Sequence, residues 1–258
     1  MPQHVPDPQK IRAKRRFGQN FLVDENVVRR IVEAASHEGV HGVVEIGPGR
    51  GALTRRLLDA GFCVAAIEID RDMQAFLAEE FADAPQFRLI AADILNTSLH
   101  DAFDGPFMVV GNLPYNISTA ILERLARERE LFASAVLMFQ REVAARVLAD
   151  VNTGERGYLS VISQAAFAIE KLFDVGPNAF RPQPKVWSTV LKLVPRPPNV
   201  FDAPQMRALV ARGFSGRRKM LRNTLKGVTV GTEKVDLSRR AESLSLEEWE
   251  FLSPETGF

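Results

Sequence analysis

The sequence predicts an α/β fold in which a parallel sheet is covered by helices on both faces and followed by a small helical C-terminal domain. From residue 43 onward, short and nearly all-apolar runs alternate with helical stretches, the pattern of strands buried on both sides and joined by crossover helices. The alternation ends in a proline cluster: seven of the 15 prolines (Pro177, Pro182, Pro184, Pro195, Pro197, Pro198, Pro204) fall between residues 177 and 204. Beyond it, residues 203–258 show helical periodicity and few β-branched runs.

Residues 1–19 are proline-rich and then basic, and are expected to form a flexible arm. Asp24 stands in capping position ahead of Val27, Val28, Ile31 and Val32, so residues 25–38 read as an amphipathic helix. Strands are then expected at Val43–Ile46, Val64–Ile69, Phe87–Ala91, Phe107–Val110 and Ala135–Phe139, with helices over Ala52–Ala60, Met73–Phe81 and Ser118–Arg129. One more β-like run, Trp187–Val194, lies inside the proline cluster, and Pro195–Pro198 is the natural linker. The expected division is an arm over 1–19, a sheet domain over 20–195 and a helical domain over 196–258.

The single cysteine, Cys63, rules out a disulfide framework and fits a reduced, cytoplasmic compartment; within a predicted strand it reads as core. His4, His37, His41 and His100 are scattered, so no metal is expected. No run approaches the ~20 apolar residues of a membrane span, and the first residues lack the apolar core of a secretory signal. With 33 Lys plus Arg against 32 Asp plus Glu, the total charge argues against a nucleic-acid partner. Two acid-free segments, 10–16 and 212–226, nevertheless hold eleven of those basic residues, leaving 22 against 32 acids elsewhere. A near-neutral sum thus conceals an acidic body with two basic patches, the distribution a nucleic-acid-binding enzyme needs.

Val43-Val44-Glu45-Ile46 runs into Gly47-Pro48-Gly49-Arg50-Gly51 and then into a helix. Such a turn lets a ligand approach bare backbone beside unpaired N–H groups, although a tight strand-to-helix turn alone would read the same way. Glu68, Asp93 and Asn112 follow at the ends of the next three strands, the edge where open α/β sheets bind ligands. Glu68 falls where a nucleotide-binding fold places a carboxylate on ribose hydroxyls, and its alternative is a solvated strand-end acid. Asp70 reads as a helix cap. The spacing GxGxG, not GxGxxG, favours S-adenosylmethionine over a nicotinamide cofactor.

Asn112-Leu113-Pro114-Tyr115 carries the chemistry. An exocyclic adenine amine has its lone pair delocalised into the ring and is a poor nucleophile. The Asn112 side-chain oxygen and the Leu113 carbonyl can each accept one of its N–H bonds and so localise the lone pair toward a methyl group. Pro114 fixes the backbone that presents them, and Tyr115 offers an aromatic face to the extracted base. A strand-to-helix turn that happens to hold Asn and Pro is the alternative.

Gly18-Gln19-Asn20-Phe21-Leu22, Glu45 to Gly51, Asn112 to Asn116 and Phe180-Arg181-Pro182-Gln183-Pro184-Lys185-Val186 together resemble the ribosomal RNA adenine dimethyltransferase family, collinearly over roughly residues 10–226. The resemblance implies a Rossmann-like methyltransferase sheet over 20–195 and an RNA-binding helical domain over 196–258. It implies donor contacts from Asn20, Leu22, Gly47, Glu68, Asp93 and Asn112, to which the glycine loop adds Gly49, and it makes Phe180 a second wall of the adenine pocket. The housekeeping small-subunit enzyme is the nearest kind within that family. It implies dimethylation of two adjacent adenosines in a hairpin loop near the 3′ end of 16S rRNA, with S-adenosylhomocysteine as product and the immature small subunit as partner. Resistance enzymes acting on large-subunit rRNA carry a similar tetrapeptide. Phe214 to Leu225 is similar to the small-subunit enzymes, with Gly216 where a larger polar residue is usual.

Arg217, Arg218, Lys219, Arg222 and Lys226 are candidate RNA contacts: on a helix starting near Arg217 the offsets to Arg218, Arg222 and Lys226 suit one phosphate-facing stripe, a solvated helix face being the ordinary alternative. Arg141 and Arg146 form a second candidate RNA contact. A monomer is expected. A non-catalytic assembly factor would have no need for Asn112, and DNA adenine methyltransferases usually carry proline where Leu113 stands.

Overall fold

The computed structural model describes residues 14, 18–36, 38–100, 102–216, 218–228, 231 and 234–253. The chain divides into two compact units, Met1–Arg141 with Ile169–Pro195, and Glu142–Ala168 with Arg196–Phe258. Of the expected arm, Lys14, Gly18 and Gln19 are described, and Lys14 and Gln19 are hydrogen-bonded to Asp70 instead of projecting as an arm; the other residues of 1–19 lie outside the described residues.

The first unit contains β1 (Phe21–Leu22), α1 (Glu25–Ala35), β2 (Gly42–Ile46), α2 (Ala52–Asp59), β3 (Cys63–Glu68), α3 (Arg71–Glu80), β4 (Phe87–Ala91), β5 (Phe107–Asn112), α4 (Ser118–Arg127) and β6 (Phe132–Gln140). After an excursion into the second unit the chain returns through β7 (Phe167–Val175), β8 (Phe180–Arg181) and β9 (Ser188–Pro195). Asp24 caps α1 as expected, its Oδ1 accepting the N–H of Asn26 at 2.9 Å and of Val27 at 3.2 Å.

Seven strands form one sheet in the order β4-β3-β2-β5-β6-β9-β7. The pairs from β4 to β6 are parallel, but β9 runs antiparallel to β6. The expected parallel sheet therefore stops at β6, because no crossover helix precedes β9. On one face Val43, Val64, Met108, Val110 and Val136 pack with Val28, Ile31 and Val32 of α1 and Leu53 and Leu57 of α2. The alternating residues Val44, Ala65, Ile67, Val109 and Leu137 are buried too, so both faces are covered. β7 escapes an apolar-run criterion because Glu170, Lys171 and Asp174 break it up, as befits an edge strand.

The strands run outward from β2 to β4, then restart at β5 on the other side. The C-terminal ends of β2 and β5 thus flank the switch point where such sheets form a ligand crevice. Cys63, expected in the core, is exposed instead: it opens β3, at the strand end away from that crevice.

The second unit contains α5 from Glu142 onward (the helix spans Arg141–Leu148), α6 (Tyr158–Ala166), α7 (Pro204–Gly213), α8 (Leu221–Thr224) and α9 (Leu246–Phe251). Here the expected boundary needs correction, since residues 142–168 belong to this unit and not to a continuous 20–195 domain. The physical reason is α6, whose Val161, Ile162 and Ala165 bury against Phe201, Met206, Leu209 and Trp249. Trp249 packs so closely that a Cβ on Gly213 would stand 2.4 Å from its indole, which excludes any other residue there. Buried Arg156 ties the unit together, donating to the carbonyls of Ala149 (3.0 Å) and Leu244 (3.2 Å) and to Gln164 Oε1 (3.0 Å).

Candidate active site

A cavity of roughly 210 Å³ opens at the C-terminal ends of β2, β3 and β5, lined wholly by residues of the first unit. Asn20, Leu22, Gly47, Gly49, Glu68, Asp93, Asn112, Leu113, Pro114 and Tyr115 all line it, so residues spread over almost a hundred positions meet at one place.

Gly49 has φ +55° and its N–H donates to Glu68 Oε2 at 3.3 Å; a Cβ there would stand 3.0 Å from the Phe21 ring. Glu68 is buried, and its Oε1 accepts the N–H of Ile69 at 2.9 Å and of Asp70 at 2.8 Å. Burial pushes its carboxyl upward against these three backbone bonds. Asp93 folds into a tight turn, accepting from Leu95 N–H at 2.9 Å and from Asn96 Nδ2 at 3.0 Å.

The Asn112 amide is anchored at one end: its Nδ2 donates to the Asn20 carbonyl at 2.9 Å. Asn20 itself is carried beside β1, which pairs antiparallel with β8 so that Leu22 faces Phe180. The Tyr115 hydroxyl shares a 2.8 Å hydrogen bond with Ser188 Oγ, and burial raises the phenol, which stays neutral. Phe180, in contrast, does not line the cavity. It is fully buried in the core with Leu22 and Val190, because alternation along β8 turns Arg181 outward and Phe180 inward.

Two acids acquire roles that spacing alone did not assign. Glu45 lines the cavity and is 1% exposed, with the Thr54 hydroxyl donating to its Oε2 at 2.6 Å. Burial holds its carboxyl up to about 7. Its signal in the sequence is a charged residue inside an otherwise apolar strand. Asp70 caps α3 as expected, but it also accepts from Lys14 Nζ at 2.5 Å and from Gln19 Nε2 at 3.0 Å. Burial alone would push the Asp70 carboxyl up, yet the bonds from Lys14 and Gln19 hold it below the ordinary aspartate range.

A family model described as Ribosomal RNA adenine dimethylase matches residues 10–250. The chain belongs to the ribosomal RNA adenine dimethylase family. It is 42% identical over 258 residues to the ribosomal RNA small subunit methyltransferase A of Methylococcus capsulatus, a match that spans 97% of this chain and 98% of that protein. Among solved structures it is similar to a dimethyladenosine transferase from Plasmodium falciparum, with a TM-score of 0.75 and 26% identity over 90% of this chain and 95% of that one. It is also similar to the 23S rRNA methyltransferase ErmE, with a TM-score of 0.66 and 27% identity over 90% and 98% of the two chains. As a ribosomal RNA adenine dimethylase the chain is an enzyme, a methyltransferase on a Rossmann-like sheet.

The basic residues expected to contact RNA lie outside the cavity lining. Arg141 and Arg146 are exposed on α5, Arg146 ion-paired with Glu142. Arg218, Lys219, Arg222 and Lys226 are exposed in the second unit, and Arg217 lies outside the described residues. They do not share the single helix expected from their spacing: α7 ends at Gly213 and α8 covers only Leu221–Thr224. The chain turns between them, Lys219 N–H donating to Gly216 O at 2.9 Å and Met220 bridging to Arg240. Arg212 is structural, its guanidinium donating to the carbonyls of Thr224 and Lys226 at 2.9 and 2.6 Å. Among the described residues no cluster of His, Cys, Asp or Glu could hold a metal, and no helix is long and apolar enough to cross a membrane.

Proposed function

We propose that this chain transfers methyl groups from S-adenosylmethionine to the N6 amines of two adjacent adenosines in a hairpin loop near the 3′ end of 16S rRNA, acting in small-subunit biogenesis. The observation that carries this reading is the Asn112 amide at the end of β5, anchored through Nδ2 on the Asn20 carbonyl so that Oδ1 remains as an acceptor. The adenine amine donates one N–H to Asn112 Oδ1 and the other to the Leu113 carbonyl, which turns its lone pair out of conjugation and toward the methyl group. Tyr115 offers its ring to the flipped base, held at the hydroxyl by Ser188. The methylated ammonium is acidic enough to release its proton to water, so no general base is assigned.

The cavity suits this donor. Among the described residues Glu68 and Asp93 line it against a single basic one, Arg50, while burial holds Glu45 toward its neutral form; the lining has no cluster of cations of the kind a polyphosphate cofactor would need. When bound, the donor supplies an electrophilic methyl group on a sulfonium. Asn20, Leu22, Gly47, Gly49, Glu68, Asp93 and Asn112 hold it, with Glu68 at the ribose hydroxyls. The exposed Arg218, Lys219, Arg222 and Lys226 of the second unit, with Arg217, Arg141 and Arg146, engage RNA phosphates. The chain is read as acting as a monomer, and the ribosomal substrate supports a cytoplasmic location.

The 42% identical relative is named for the small subunit and the 27% identical ErmE for 23S rRNA, so the higher identity supports a small-subunit substrate. The deciding experiment is incorporation of labelled methyl into purified small-subunit particles, large-subunit rRNA and duplex DNA. Label in the particles is expected. Label only in large-subunit rRNA or DNA would overturn the substrate, and none anywhere would overturn the activity.

A further inference from the structure

A chain of hydrogen bonds links the start of α3 to the Asn112 amide. Lys14 Nζ lies 2.5 Å from Asp70 Oδ1 and 2.6 Å from Asp72 Oδ2. The Lys14 backbone N–H donates to Gln19 Oε1 at 2.8 Å, and Gln19 Nε2 donates in turn to Asp70 Oδ2 at 3.0 Å. Asp70 is 1% exposed, and Lys14 Nζ and Gln19 Nε2 converge on its two oxygens. The residue after Gln19 is Asn20, whose carbonyl accepts from Asn112 Nδ2 at 2.9 Å. Beyond it Phe21 lies against Gly49 with the Arg50 guanidinium 4.6 Å over its ring, and β1 pairs with β8.

A primary amide is nearly symmetric in shape but opposite in chemistry at its two ends. If the Asn112 amide turned over, it would present an NH₂ to the substrate amine and could accept nothing from it. The Asn20 carbonyl decides the orientation, so whatever seats residues 18–22 controls whether Asn112 works. β1–β8 pairing fixes this segment on one side, and Asp70 is the charged anchor on the other.

We propose that Asp70 is a positioning residue for methyl transfer: acting through Lys14 and Gln19, it latches residues 18–22 in place and thereby sets the orientation of the Asn112 amide. This rests on the role given to Asn112 above. Neither Lys14 nor Asp70 lines the cavity, whereas Gln19 does, next to Asn20 and Leu22 of the donor-binding set. The latch differs from the helix cap, which needs only an oxygen at residue 70 for the Asp72 N–H at 3.1 Å.

Asp70→Asn keeps that oxygen but removes the charge facing Lys14, and Lys14→Met leaves the cap untouched. The first arm of the test reads no activity: the Asn112 side-chain amide of ¹⁵N-labelled protein, assigned by its loss in Asn112→Asp, is followed by hydrogen exchange. Its protection should fall about tenfold in both variants and return in Lys14→Arg, the size of one charge-assisted hydrogen bond. The second arm measures methyl transfer to small-subunit particles. Here kcat should fall about five- to tenfold, with the affinity for S-adenosylhomocysteine falling by a clearly smaller factor, because β1–β8 pairing still holds Leu22, and the melting temperature unchanged. The Asp70→Asn/Lys14→Met double variant should be no worse than Asp70→Asn, because both break one latch. Unchanged amide protection would overturn the proposal whatever the enzyme's substrate is. A kcat loss matched by an equal loss of S-adenosylhomocysteine affinity would overturn it too, making the latch a closure on the donor. If the wild type methylates no RNA, the functional reading fails while the exchange arm still decides the latch.

Discussion

Replacing Glu45 with Gln should remove a pH dependence of stability that the wild type carries between about pH 4.5 and 7. The carboxyl is 1% exposed, receives the Thr54 hydroxyl at 2.6 Å, and is pushed by burial from 4.5 up to about 7. The folded chain therefore keeps a proton that the unfolded chain releases in this window. Its contribution is complete below the unfolded value and is lost as pH rises through the folded one. A difference of about 2.5 at 1.36 kcal/mol per pH unit gives about 3 kcal/mol. Gln has the same shape, can still accept from Thr54 and never ionises. Urea unfolding of both proteins at pH 5, 6, 7 and 8 isolates the effect together with its coupling to Glu68, whose charge adds to burial in raising Glu45; the other titrating groups are common to both proteins. The two should be similar at pH 5, with Glu45→Gln gaining up to about 3 kcal/mol on the wild type by pH 8. A stability difference that does not vary with pH would refute the claim that Glu45 is held neutral by burial.

Asn112→Ala should lower kcat by about 10³-fold or more while S-adenosylhomocysteine affinity, read by calorimetry, falls only a few-fold. Gly49→Ala combines a left-handed backbone with a Cβ 3.0 Å from Phe21, so it should cost about 1–3 kcal/mol in unfolding free energy and weaken S-adenosylhomocysteine binding. Arg156→Ala removes three hydrogen bonds from a buried guanidinium and should destabilise the second unit by about 3 kcal/mol, seen as earlier hydrogen exchange across α6 and α9. Changing Arg218, Lys219 and Arg222 together to Ala should reduce the salt slope of RNA binding by about 2 and leave S-adenosylhomocysteine affinity intact; an unchanged slope would remove them from the RNA contact.

Much of the sheet was legible because parallel strands buried on two faces must be apolar throughout, as at Phe107–Val110; the edge strand Phe87–Ala91, none of whose residues is fully buried, was also read to the residue. The cavity residues at strand ends were legible for a related reason: Glu68, Asp93 and Asn112 are polar side chains at fixed places in an apolar pattern. β7 and α6 were not, the first because edge charges break its pattern. The second is apolar around most of its surface and has no polar side to set its period. The basic segment was misread for a different reason, since helical offsets among Arg218, Arg222 and Lys226 exist whether or not the backbone is helical from 218 to 226, and α8 covers only Leu221–Thr224.

By itself the sequence determined much of the strand-and-loop framework, the family and the tetrapeptide proposed to bear the chemistry, because these follow from local patterns of residue type. Only the tertiary structure decided which side chains face the cavity. It sent Phe180 into the core, left Glu45 in a buried place that holds it near neutrality, and brought Lys14, Gln19 and Asp70 together beside the carbonyl that orients Asn112. Orientation, burial and contact between distant residues depend on how the elements pack, and no local spacing encodes them.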